Sequence, residues 1–270
     1  MPEGNRNLGK VLQKIIFLQQ GDILIMKKNN VSFNTIKARL SDGEINYQKI
    51  SNITFAVATE KDVNNNQVGN GRDAGNRFES ILRYALQDAC HDVNDPDNKS
   101  KADLSFGGVD CADDFQVKRY QPGFAQISTM AGNKYFTELK NIYMKSRRTS
   151  GKQMNEYFSS FELPPDFLQV QNNKTGETNY YLFEVGEIAR NARKLEYASN
   201  KTCDKIRMLD KHNDVILEVR SGEDPQANCL TRGAWVNTDW LSKNVDPIES
   251  NVASTGININ EMLWNYGADI

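Results

Sequence analysis

Three local patterns predict an α/β fold in which helices pack on a sheet. From Asn76 to Asp92 the apolar residues Phe78, Ile81, Leu82, Ala85, Leu86, Ala89 and Cys90 recur at helical spacing, the stripe of an amphipathic helix. Apolar and polar residues alternate from Asp103, with Leu104 and Phe106 on the core side. A second alternating run, Asp-Phe-Gln-Val-Lys-Arg-Tyr, follows from Asp114 to Tyr120. Residues two apart on a strand share a face, so Gln116 and Lys118 point one way while Phe115 and Val117 pack the other.

The remaining elements follow from periodicity and breakers. Leu8, Val11, Leu12, Ile15, Ile16 and Leu18 predict an opening helix, and Asp22 to Met26 and Ile53 to Ala58 read as short strands. Residues 62–76, rich in Asn, Gly and Asp, predict a loop or boundary. Tyr135, Phe136, Leu139, Ile142 and Tyr143 predict a helix, which separates Glu138 from Lys140 and removes that pair as a shared site. Beyond it come a mobile basic connection over Ser146 to Lys152, a turn-rich loop over Gln171 to Thr178, a strand over Tyr180 to Val185, and a strand over Ile216 to Val219 that ends in the Ser221-Gly222 turn. This divides the chain into an N-terminal extension or subdomain (1–70), a core (71–240) and an acidic C-terminal segment (241–270).

Composition narrows the class. At 270 residues the chain can bury one sizeable core, and it has no apolar run of membrane length. Its first residues, Met-Pro-Glu-Gly-Asn-Arg-Asn, are no signal peptide, so the expected location is the cytoplasm. Cys90, Cys111, Cys203 and Cys229 form no Cys-x-x-Cys pair, and His91 and His212 are the only histidines, which argues against structural zinc and a disulfide framework. The formal net charge of −2 conceals a sorted distribution: Lys118 to Gln153 holds eight basic residues and one acid, whereas Asn237 to Ile270 holds one basic residue and five acids. A basic segment directly after the Gln116–Lys118 strand suits phosphate contacts, with Lys145, Arg147 and Arg148 as candidates. A solvated charged helix is the competing reading.

The trio Asp103, Gln116 and Lys118 suits metal-assisted hydrolysis of a phosphodiester. Mg²⁺ is a hard cation that takes oxygen ligands, so Asp103 and Gln116 are the candidate metal ligands. Lys118 would orient the attacking water or neutralise the scissile phosphate. Glu79 stands at the edge of the preceding helical stripe. Spacing alone leaves an exposed strand face as the alternative for Gln116 and Lys118, and a solvated helix position for Glu79.

Helix, Asp-led strand, then strand with Gln and Lys resembles the order of the PD-(D/E)xK nucleases, a likeness that implies one more acidic group from the helix, with Glu79 as the candidate. Asn76-Arg-Phe-Glu79, the Asp103 strand, Gln116-Val-Lys118, Gly123-Phe-x-Gln-Ile127, Glu162-Leu-Pro-Pro165, Ala192-Arg193 and the Val219-Arg-Ser-Gly-Glu-Asp224 turn resemble, in order, the small type II restriction endonucleases of the HinP type, which cut GCGC. The likeness runs over about residues 72–240. It implies a central mixed sheet flanked by helices and Mg²⁺-dependent cleavage of double-stranded DNA at a short palindrome, leaving 5′-phosphate ends. It also implies functional pairing with a DNA methyltransferase; a homodimer is one expectation, and the sequence leaves the oligomeric state open. The chain departs from that family in its long N-terminal region and in a shorter gap between Asp103 and Gln116. Asp97 preserves a longer spacing, and Asp110, Asp113 and Asp114 lie nearby; Asp103 is preferred because alternation begins there.

The resemblance also implies that the Gly-Phe-x-Gln stretch enters the DNA, which makes Gln126 a base-reading candidate and Phe124 a wedge between base steps. Core packing is the alternative for Phe124. Arg220, Asn228 and Arg232 form a second candidate DNA-binding cluster, with a plain surface turn as its alternative. A DNA repair or junction-resolving nuclease, or a decayed nuclease that only binds DNA, are the other functional expectations.

Overall fold

The computed structural model describes residues 32–59, 71–94, 102–107, 113–127, 133–199, 203–221 and 233–254. The fold is mixed α/β with two sheets. Helices α1 (32–40), α2 (Tyr47–Thr59) and α3 (Gly71–Asp88) lead into strands β1 (Val93–Asn94), β2 (Leu104–Phe106), β3 (Asp114–Tyr120) and β4 (Phe124–Ile127). Helices α4 (Asn133–Lys145) and α5 (Gly151–Ser159) precede β5 (Asp166–Gln171) and β6 (Glu177–Phe183). The short helix α6 (Val185–Ala189), strands β7 (Lys194–Ser199), β8 (Asp204–Leu209), β9 (Val215–Ser221) and β10 (Gly233–Asn237), helix α7 (Thr238–Asn244) and strand β11 (Glu249–Val252) complete the order.

Six strands form a mixed sheet in the order β1-β2-β3-β5-β6-β11, and five form an antiparallel sheet in the order β4-β10-β9-β8-β7. The pair β3–β5 is parallel and therefore needs a long crossover, which β4, α4 and α5 supply. One face of the mixed sheet packs on α1, α2 and α3 through Ile36, Ile53, Phe78, Phe115 and Phe167. The other face packs, through Leu168, Val170, Tyr181 and Phe183, against α4 to α7 and the apolar side of the second sheet. Residues 32–59 thus share one core with α3, and β11, within the acidic segment, closes one edge of the mixed sheet.

Three local expectations change. Ile53 to Ala58 lies in helix α2 rather than a strand; Ile50, Ile53, Thr54, Val57 and Ala58 are buried at helical spacing, and tertiary packing overrides the β-propensity of the run. Helix α3 begins at Gly71, so the last part of the expected 62–76 loop is helical. The second sheet was not legible as a sheet of its own. The expected opening helix and the strand over Asp22 to Met26 lie outside the described residues. Among the described residues no helix is long and apolar enough to cross a membrane.

Between α2 and the mixed sheet runs a buried polar seam. Gln169 Nε2 donates to Thr54 Oγ1 (3.0 Å) and to Tyr180 Oη (2.9 Å), and Gln171 Nε2 donates to the Ser51 carbonyl (2.8 Å). Arg119, 5 % exposed, donates to Gln171 Oε1 and Asn173 Oδ1, and burial lowers its pKa. Next to the seam, Phe167 stacks on Phe78 and Tyr180 with ring centroids 6.3 and 5.9 Å apart. Phe167→Ala should cost about 3–5 kcal/mol of stability, measured by urea unfolding.

Candidate functional site

The register of β2 on β3, Leu104 opposite Phe115 and Ser105 opposite Asp114, brings Asp103 opposite Gln116 at the strand end. The Asp103 N–H donates to the Phe115 carbonyl at 3.0 Å. Its Oδ2 accepts from Lys118 Nζ at 2.6 Å and from the Val117 N–H at 2.8 Å. The two side chains are 23 % and 28 % exposed, so water screens the ion pair; it contributes about 1 kcal/mol or less to stability, and its main effect is to hold the geometry. Phe115 and Val117 face the α2–α3 core, while Gln116, Lys118 and Tyr120 face the other side, as alternation requires. Gln116 is 2 % exposed, and its Oε1 is buried without a hydrogen-bond partner.

Beside Gln116, on β5, stands Asp166, 0 % exposed and paired in register with it across the parallel β3–β5 ladder. Phe167 belongs to the α2–α3 core and Leu168 to the opposite core, so Asp166 shares the face of Gln116 and Lys118. Sequence reading passed over this residue. Its signal was a Pro165-Asp166 step leading into a strand of buried residues. Asp114, half-buried, is on the same face of β3 opposite Ser105.

Glu79 stands on helix α3. Helix α3 packs Phe78, Ile81 and Leu82 on the opposite face of the sheet, and Glu79 pairs with Arg83 at 3.4 Å. Asp97 and Asp110 lie outside the described residues; the carbonyl of Asp113 accepts from the Phe106 N–H at 3.2 Å.

Phe124, Gln126 and Arg220 are brought together on the outer face of the second sheet. Ala125, Ile127, Ala234, Val236, Leu217 and Val219 take its inner, apolar face. Register sets Gln126 beside Trp235 and Trp235 beside Glu218. The Arg220 guanidinium lies 3.9 Å from the Trp235 ring and 5.7 Å from the Phe124 ring and bonds Glu218. Lys205 and Arg207 reach the same carboxylate at 3.4 and 3.5 Å. Glu218 is 0 % exposed and Arg220 about one-sixth exposed, so a buried anion organises three cations near the surface. Tyr120, two residues beyond Lys118, meets Trp235 edge-on at 6.1 Å and links this cluster to the Asp103–Lys118 strand. Glu218, Lys205, Arg207 and Trp235 were missed in the sequence; the readable signal was a single carboxylate inside the apolar strand Val215-Ile-Leu-Glu-Val. Asn228 and Arg232 lie outside the described residues.

Lys145, Arg147 and Arg148 are exposed at the end of α4. The connection that carries them, expected to be mobile, is tethered: the Leu195 N–H donates to the Arg147 carbonyl, the Thr149 N–H donates to the Arg193 carbonyl, and Arg148 bridges to Lys194. The tether brings Arg193 and Lys194 alongside and widens the basic surface.

No protein-family model matches the chain, and no curated protein or solved structure matches it either.

Glu218→Gln should lower the unfolding free energy by about 1–3 kcal/mol, the lower part of the range for a buried charge removed because its cations can turn to water. Guanidinium denaturation checks the magnitude, and a loss below 0.5 kcal/mol, roughly the surface-substitution scale, would contradict the cluster.

Proposed function

We propose that this chain is a Mg²⁺-dependent endonuclease of PD-(D/E)xK type that cuts double-stranded DNA at a specific site, in the manner of a type II restriction enzyme. The observation that carries the reading is the junction of Asp103 and Lys118 across antiparallel β2 and β3, with the buried, unpartnered Gln116 Oε1 on the same face. The element order α3, β2, β3 supports it as the order the resemblance implied.

The donor set fits Mg²⁺. Asp103 and Gln116 offer oxygens without thiol or imidazole, the ligand type a hard cation takes. Bound there, Mg²⁺ would lower the pKa of the attacking water and offset developing phosphate charge. Asp103 Oδ2 fixes Lys118, whose ammonium keeps further N–H donors for the scissile phosphate or the attacking water. Gln116, being neutral, adds an oxygen with little charge and makes metal binding weak.

Recognition would fall to the second sheet. Arg220 uses one edge of its guanidinium on Glu218 and is stacked on Trp235, which leaves its other edge pre-oriented toward a guanine, with Gln126 and Phe124 on the same face. Lys145, Arg147 and Arg148 would contact phosphates. The second reading, a decayed nuclease that only binds DNA, draws on the neutral Gln116 and on the closure of Lys118 onto Asp103.

Cleavage of phage DNA by the purified protein with Mg²⁺, followed by sequencing of the ends, separates these readings. Asp103→Ala and Lys118→Ala should abolish cutting while leaving DNA binding intact. Cutting by Asp103→Ala at the wild-type rate, or no cutting by the wild type with Mg²⁺ or Mn²⁺, overturns the nuclease reading. Gln116→Glu should lower the Mg²⁺ concentration for half-maximal single-turnover cleavage without raising the maximal rate, because the added charge also repels the phosphate. Replacing Lys145, Arg147 and Arg148 by alanine should flatten the log–log salt dependence of binding by up to about 2.7. An unchanged slope removes that surface from the DNA interface.

A further inference from the structure

Asp103, Gln116 and Asp166 form a row across three neighbouring strands. Asp103 is opposite Gln116 by continuation of the β2–β3 register, and Gln116 is directly beside Asp166 on β5. All three side chains are on the same face, with the amide in the middle. Adjacent strands are about 4.8 Å apart, so the two aspartates flank Gln116 across about 10 Å. Two aspartate side chains reaching inward to one ion, with metal–oxygen distances of about 2.1 Å, span that gap.

Charge balance points the same way. Lys118 already neutralises Asp103, and Gln116 carries no charge, so these three residues alone offer a divalent cation no net negative charge. Asp166 supplies it. Burial gives a second reason: a fully buried carboxylate stands beside a buried amide oxygen that has no partner, on a strand whose other residues on this face, Leu168 and Val170, are apolar. A desolvated amide oxygen without a partner costs free energy, and a cation beside it offsets that cost.

We propose that Asp166 is a metal ligand, completing with Asp103 and the Gln116 Oε1 a three-oxygen site for one divalent cation that spans β2, β3 and β5. The proposal rests on the nuclease reading for its function, but metal binding is measurable without DNA. Asp114 shares the face and lies outside the row, opposite Ser105, which makes it the control.

The test uses the full chain without DNA. Mn²⁺ binding followed by electron paramagnetic resonance should be weakened at least about ten-fold by Asp166→Asn and by Asp103→Asn, and should change little in Asp114→Asn. Because a buried aspartate can be needed for folding, the wild type is probed in parallel: Fe²⁺ with ascorbate and peroxide generates hydroxyl radicals at the bound ion, and these should cut the backbone near Asp103, Gln116 and Asp166. Wild-type cuts near Asp103 and Gln116 but none near Asp166 would overturn the proposal. So would unchanged Mn²⁺ affinity in folded Asp166→Asn, an equal loss in Asp114→Asn, or no Mn²⁺ uptake by the wild type. Only the last of these outcomes also bears on the nuclease reading; that reading falls separately if the wild type fails to cut DNA.

Discussion

Strand β3 pairs antiparallel with β2 on one side and parallel with β5 on the other, and this double ladder decides which side chains of distant segments share a face. Its odd residues Phe115 and Val117 enter the core beneath α2 and α3; its even residues Gln116, Lys118 and Tyr120 look toward the opposite core. A slip of one residue in either ladder would set residues of opposite faces beside each other and part Asp103 from the face of Gln116 and Lys118. The aromatic packing around Phe167 and the polar seam under α2 therefore hold more than stability: they hold the register that joins Asp103 to Lys118.

The charged groups are arranged around anions that are themselves constrained. Asp103 is held by the Val117 N–H and in turn holds Lys118; Glu218 is fully buried and draws in Lys205, Arg207 and Arg220. A cation fixed in this way gives up part of its Coulomb energy to its internal partner but loses less conformational entropy when a ligand arrives. Arg220, its guanidinium over the Trp235 ring, shows the arrangement most fully. Tyr120 on β3 touches the same tryptophan, so the candidate chemistry and the candidate recognition surface meet through one ring contact rather than through a flexible linker.

Legibility in the sequence followed the range of the interactions. The α3 stripe, the common face of Gln116 and Lys118, and the exclusion of Glu138 and Lys140 as a strand pair were readable because each depends on a period within one element. Ile53 to Ala58 misled, since a short run of β-branched and aromatic residues fits a strand until its partners are known; Ile50, beyond the run, shows the helical spacing. Glu79 sits on the helix the pattern required, yet the side of the sheet on which that helix packs is a tertiary fact, and it puts Glu79 beside Arg83.

By itself the sequence determined the local periods, the charge sorting, and the pairing of an Asp-led strand with a Gln-x-Lys strand, because these rest on neighbours a few residues apart. The tertiary structure decided that Asp166, separated from Gln116 by a whole crossover, stands next to it, and that Phe124, Gln126, Arg220, Trp235 and Glu218 occupy one face of a second sheet. No period in the chain encodes those contacts. They arise when strands distant in sequence satisfy one another's backbone hydrogen bonds, and the pleat then assigns their side chains to a common face.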